Sequence, residues 1–125
     1  MEKRFIPLAT TQKVGMSAAV RFGGLIAVSG QVALNAKGEL VGKGDIATQV
    51  AQCFANIADV LGQAGASLSD VVSVTTYLKS PDLAPAFLEA RARAFPEHPP
   101  ATTTVIAQML SPDFLVEIQA LAAVD

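Results

Sequence analysis

The chain has 125 residues, 51% of them hydrophobic and only 16% charged, with a formal net charge of −2. That length suits a single domain, residues 1–125, able to remove roughly two-thirds of its extended surface from water, and the composition excludes a disordered chain. With no basic run to neutralise phosphates, no nucleic-acid partner is expected.

So apolar a small chain suggests that another subunit covers part of its surface. One cysteine excludes an intrachain disulfide and is compatible with a reducing compartment, so a cytoplasmic location is expected. No apolar run approaches a membrane span. The start, Met1 to Pro7, carries charges without a following apolar core, so neither membrane attachment nor a signal peptide is expected.

In chain order, Phe5 to Leu8 reads as a short first strand, placed at an edge by Pro7. Thr10 to Ser17 is polar and irregular. Ala18–Phe22 and Leu25–Ser29 are apolar runs flanking Gly23-Gly24, a tight-hairpin signal in which both turn positions call for positive φ. Gln31 to Leu34 extends the second run. Asn35-Ala36-Lys37-Gly38 is a further turn, followed by a short strand over Glu39 to Val41.

Asp45 is the expected N-cap of the first helix. Ile46, Val50, Cys53, Ile57, Val60 and Leu61 recur at helical spacing as one apolar stripe, and Gly65 fits the C-terminal cap. Cys53 lies on that stripe and reads as core, since no electropositive neighbourhood marks it as reactive. Asp70 to Leu78, rich in β-branched residues, is the clearest strand. Pro81 and Pro85 are both accommodated if Asp82 caps a second helix running to about Phe95, because prolines are tolerated where amides lack intrahelical acceptors. Leu83, Phe87, Ala90 and Ala94 form its buried face, which leaves Arg91 and Arg93 on the wet side. His98, the only histidine, reads as a loop residue. A lone histidine is weak evidence for metal, and neither a nucleophile elbow nor a phosphate or dinucleotide fingerprint is present, so no metal or cofactor is expected.

The last stretch, Pro99 to Ala122, reads as two strands joined by Ser111-Pro112-Asp113. Glu117 interrupts an otherwise apolar run. A carboxylate there either points to solvent or sits in a site, because it cannot be cheaply buried unpaired. Strands, helix, strand, helix and two strands predict an α+β layer with two helices on one face of a mixed sheet. The other face then needs a partner, and self-association is the economical one.

Val28-Ser29-Gly30-Gln31-Val32, the helix Asp45–Leu61, Ala64 to Val72, Val74 to Leu78, Phe95 to Ala101 and Val116-Glu117-Ile118-Gln119-Ala120 together resemble the RidA/YjgF family, also called the endoribonuclease L-PSP family. The resemblance runs in order from about Gly15 to Ala123. It implies a chorismate-mutase-like α+β fold, a homotrimer, and small-molecule clefts at the three subunit interfaces. Its deaminating members hydrolyse reactive enamines and imines, such as 2-aminoacrylate and 2-iminopropanoate, to a keto acid and ammonia.

Carried over by residue, the resemblance implies Glu117 as the group that places the attacking water. Thr104, Ser29, Gly30 and Gln31 match cleft positions. The arginine that forks onto the substrate carboxylate is replaced by Thr102. A cleft tyrosine is replaced by Met16, with Ser17 beside it, and an asparagine of the second helix by Leu88. Losing a charge-assisted bidentate contact removes on the order of 3 kcal/mol. The resemblance therefore implies a divergent deaminase for a less charged substrate, or a non-catalytic small-metabolite binder using the same cleft. A ribonuclease is disfavoured by low charge and sparse aromatics. Thr102, early in its strand, and Glu117, on the next, are expected to be neighbours across a ladder.

Overall fold

The computed structural model describes residues 1–10 and 14–125; the expectation for Thr10 to Ser17 falls partly outside them. Six strands form one mixed sheet: β1 (Lys3–Ile6), β2 (Ala19–Phe22), β3 (Leu25–Gln31), β4 (Val71–Leu78), β5 (Ala101–Ile106) and β6 (Val116–Ala123). Their spatial order is β1-β2-β3-β6-β4-β5. All neighbours are antiparallel except β4 and β5, which run parallel. Two helices, α1 (Ile46–Gln63) and α2 (Ala84–Ala94), pack on one face. This is the α+β arrangement expected from the order of elements. No helix among the described residues is long and apolar enough to cross a membrane.

Alternation along β6 divides the sheet's two faces. Val116, Ile118, Ala120 and Ala122 are buried, whereas Glu117, Gln119, Leu121 and Ala123 are not. The first set meets Ile26 and Val28 of β3, Val74 and Leu78 of β4, and the α1 stripe Val50, Cys53, Phe54, Ile57 and Leu61 in one core. Phe54 and Phe95 meet edge to face, with ring centroids 5.2 Å apart.

The α1 boundaries follow local chemistry. The Asp45 carboxylate accepts from the Thr48 hydroxyl at 2.7 Å and from its amide at 3.3 Å. Those bonds hold the carboxyl below its ordinary pKa. At the other end Gly65 takes φ +85°, and Arg21 donates to the Ala64 carbonyl at 2.6 Å.

Several expectations are corrected. β1 is Lys3–Ile6 rather than Phe5–Leu8, because Pro7 has no amide to give a ladder. Only Gly23 of the hairpin pair has positive φ. Gly24 is required for space instead: a Cβ there would lie 2.3 Å from the Val124 carbonyl oxygen. Glu39 to Val41 forms only a bridge between Leu34 and Leu40. Asp82 does not cap α2: Ser80 donates to its carboxylate, residues Pro81–Leu83 make a 3₁₀ turn, and the helix begins at Ala84. β4 begins at Val71, because Asp70 closes a capping box with Ser67 on the preceding turn. β6 begins at Val116, not Phe114. Arg91 is not on the wet side. It is half-buried, its guanidinium 5.1 Å from the Phe87 ring centroid, because it lies one turn beyond that buried phenylalanine.

Buried polar side chains on α1 anchor the loops. Gln49 is fully buried, donating to the carbonyls of Gly42 (3.1 Å) and Asp113 (3.0 Å) and accepting from the Leu115 amide at 2.9 Å. It thus ties two loops to α1 just ahead of β6. Gln49→Leu keeps the volume but strips those backbone groups of partners. It should cost about 3 kcal/mol, read as a lower urea midpoint at fixed protein concentration; an unchanged midpoint would mean that water replaces the amide fully.

Candidate functional site

The pairing of β3 with β6 is interrupted once. Val28 lies opposite Ala120 and Gln31 opposite Ile118, so β3 takes three steps where β6 takes two. This bulge carries Ser29 and Gly30, and bulges of this kind re-aim side chains at sheet positions where regular pairing would hold them. Glu117 lies against it. A Cβ at Gly30 would come within 2.3 Å of Glu117 Oε2, so a glycine is needed there for the carboxylate to keep its place.

Ser29 donates to the Ser17 carbonyl at 2.7 Å, which fastens the bulge to the segment ahead of β2. Met16, Ser17 and Ser29, with Phe5, Val20 and Ala27, line an open cleft of about 760 Å³ on the face that the helices leave bare. The structure therefore brings together five of the expected site residues around β3: Met16, Ser17, Ser29, Gly30 and Glu117. Gln31 joins them from below, its carbonyl accepting from Cys53 Sγ at 3.3 Å.

The other three lie elsewhere. Thr102 and Thr104 are on β5, every residue of which is exposed, and Leu88 is 49% exposed on α2. The expected ladder contact between Thr102 and Glu117 is absent within one chain. Tyr77 of β4 is level with both Val105 and Glu117, so β4 separates the two strands and three register positions separate the two residues. At ordinary strand spacing and rise they are roughly 14 Å apart. They also lie on opposite faces. Thr102 is level with the buried Val74, on the helix side, whereas Glu117 alternates with the buried Val116 and Ile118.

Cys53, read from the sequence as a core residue, is fully buried on the α1 stripe. Burial, and secondarily the negative charge of Glu117, push its thiol up to about 12. No group of three or more histidine, cysteine or acidic side chains that could hold a metal ion occurs among the described residues. His98 is exposed in the loop before β5.

A mixed sheet with one helical face, and a carboxylate set over a glycine bulge beside an open cleft on the bare face, define a small α+β protein. The family model described as endoribonuclease L-PSP matches residues 9–124, and the chain belongs to that family. A "RutC family protein" of Pyrococcus horikoshii is 40% identical over 107 residues, 85% of this chain and 84% of the relative. A "2-iminobutanoate/2-iminopropanoate deaminase" of Dermatophagoides farinae is 30% identical over 125 residues, 98% of each chain. A crystal structure of a YjgF-family protein from Mycobacterium tuberculosis superposes with a TM-score of 0.85 at 32% identity, covering 98% of this chain and 100% of that one. The fold is thus the chorismate-mutase-like α+β fold of the YjgF proteins.

The Cys53 environment has a measurable consequence. In the unfolded chain the thiol titrates near its ordinary value of 9.0, and in the folded protein near 12. Its contribution to stability is fully present below pH 9 and is lost as the pH rises through that window. The pH dependence of the urea midpoint between pH 9 and 11 should be steeper in the wild type than in Cys53→Ala; parallel profiles would contradict the assigned environment.

Proposed function

We propose that this protein is a divergent enamine or imine deaminase, working in clefts between the subunits of a homotrimer on substrates less charged than 2-iminopropanoate. The observation that carries this reading is the division of the candidate site. Glu117, Gly30, Ser29, Ser17 and Met16 lie around the bulge, while Thr102, Thr104 and Leu88 lie at the far end of the sheet and on its other side. A second copy is needed to bring such halves together. The exposed, uncharged edge strand β5 and the apolar open face, where Phe5 is 62%, Val72 45% and Val105 39% exposed, support that assembly. The deaminase name of the Dermatophagoides relative supports the reaction class.

In this reading Glu117 takes a proton from water as the water oxygen bonds to the imine carbon. The proton then passes to nitrogen, giving a carbinolamine; Glu117 moves the hydroxyl proton to the amine, the C–N bond breaks as C=O forms, and a carbonyl compound and ammonia leave. Thr102 and Thr104 offer single neutral hydroxyls where a bidentate cation would fix a carboxylate. The arginines that could have compensated are engaged: Arg21 with the Ala64 and Gly23 carbonyls, Arg93 with Glu89, and Arg91 over Phe87.

Sedimentation equilibrium at micromolar concentration should give about three times the 12.9 kDa protomer mass; a stable monomer would remove the interfacial site altogether.

The chemistry is tested by generating 2-iminopropanoate with a dehydratase and following keto-acid release. Wild-type acceleration should be weak. Thr102→Arg should raise it by about tenfold, short of the full charge-assisted contact because Met16 and Leu88 also differ. Glu117→Gln in that background should lower it by a factor on the order of 10² or more. Strong wild-type activity equal to that of an arginine-bearing relative would show that Thr102 has been overvalued. No release from any enamine or imine, together with retained ligand binding, would make the protein a binder.

A further inference from the structure

Among the described residues, Glu117 makes no ion pair; the one salt bridge joins Arg93 to Glu89 on α2. The carboxylate is half-buried beside the bulge. The neighbouring cleft is walled by Phe5, Met16, Val20 and Ala27, with Ser17 and Ser29 as neutral polar groups. No lysine or arginine among the described residues lines it. Of the cations among the described residues, Arg4 donates to the Gln63 carbonyl at 2.9 Å and Arg21 to that of Ala64, both at the C-terminal end of α1. Lys79 donates to the Pro112 carbonyl at 2.6 Å, beyond β4. The second half of the site, Thr102, Thr104 and Leu88, adds no charge.

A half-buried anion beside a largely apolar cleft is stabilised most by a ligand that brings a positive charge on an apolar body. A ligand carboxylate would be desolvated there against a like charge, with no cation among the described lining residues to offset it. We propose that the site takes carboxylate-free substrates that are cationic when they react: iminium ions with an apolar substituent, and enamines that protonate on carbon to give them. This inference rests on the interfacial deaminase reading and names its substrate class.

Glu117 then has two tasks on one substrate. It is the counter-ion of the C=N⁺ group, and it removes the proton of the attacking water. The water oxygen bonds to carbon, the C=N π pair moves to nitrogen, and the positive charge is discharged. A proton delivered to nitrogen allows C–N cleavage as the carbonyl forms. The balance is iminium plus water to aldehyde or ketone plus ammonium, with no oxidant, reductant or further reactant.

The charge preference is measurable without turnover. Three probes of equal length, pentylammonium, pentan-1-ol and pentanoate, are titrated into the full-length protein by calorimetry at pH 7.5. The expected order is ammonium tightest, alcohol next and pentanoate weakest, with ammonium and pentanoate separated by about tenfold or more. Glu117→Gln should collapse the ammonium and alcohol affinities to within about twofold. Pentanoate binding as tightly as pentylammonium, an unchanged order in Glu117→Gln, or no binding of any probe at millimolar concentration would each overturn the proposal. A retained charge order without hydrolysis of any imine would overturn the deaminase reading and leave the cation site standing.

Discussion

The structure depends on β6 lying between β3 and β4. Neither of those strands pairs with the other, and among the described residues the one strand hydrogen-bonded to both is the last of the six in the sequence. With β6 in place, α1 covers a continuous apolar surface made from Ile26, Val28, Ile118, Ala120, Ala122 and Val74. Burial of that surface is the main favourable term available to so small a chain. The period of two along β6 sends every second side chain to the bare face, and Glu117 is one of those. Its place there is a consequence of the same alternation that builds the core.

Regular pairing would set Glu117 in a row of cross-strand neighbours. The extra residue in β3 breaks that row, and Gly30 leaves the space that the carboxylate occupies. The site-forming feature is therefore an irregularity beside the centre of the sheet, held by the Ser29 hydroxyl on Ser17 and by Cys53 on the Gln31 carbonyl. The Gln49 strap steadies the approach to β6 from the other side. A polar residue is thus presented from a rigid element rather than from a loop.

Much of this was legible in the sequence, for identifiable reasons. The α1 stripe and its Asp45 cap were readable because helical period and capping are local. So was β4, whose β-branched run has only one economical conformation. Glu117 stood out because a carboxylate in an apolar strand needs an explanation. Part of what failed was non-local. Strands adjacent in the chain were expected to be adjacent in space, and β4 lies between β5 and β6 instead. Gln49 was invisible because its partners are backbone groups of the loop before α1 and of a loop more than sixty residues further on, which no side-chain pattern announces. Arg91 was misplaced because a long side chain can lay its charge over an aromatic ring while its position in the helix reads as polar. Asp82 has the residue type of a cap, but a hydroxyl two positions earlier engages its carboxylate first.

The place of β6 in both the sequence and the sheet also orders events in time. As the chain emerges from the ribosome, β1, β2 and β3 can pair locally, and so can β4 and β5 through their helical crossover. The two pieces have no ladder between them until β6 arrives, and α1 until then covers only part of its final surface. Leu25 pairs with Ala123 and Val71 with Ala122, so the contacts that join the two pieces span long stretches of sequence. Topology of this kind folds more slowly than folds dominated by local contacts. During synthesis the nascent protein thus carries two incomplete sheet fragments with open edges, and its exposure to chaperones and to mispairing is set by how quickly the ribosome delivers one eight-residue strand.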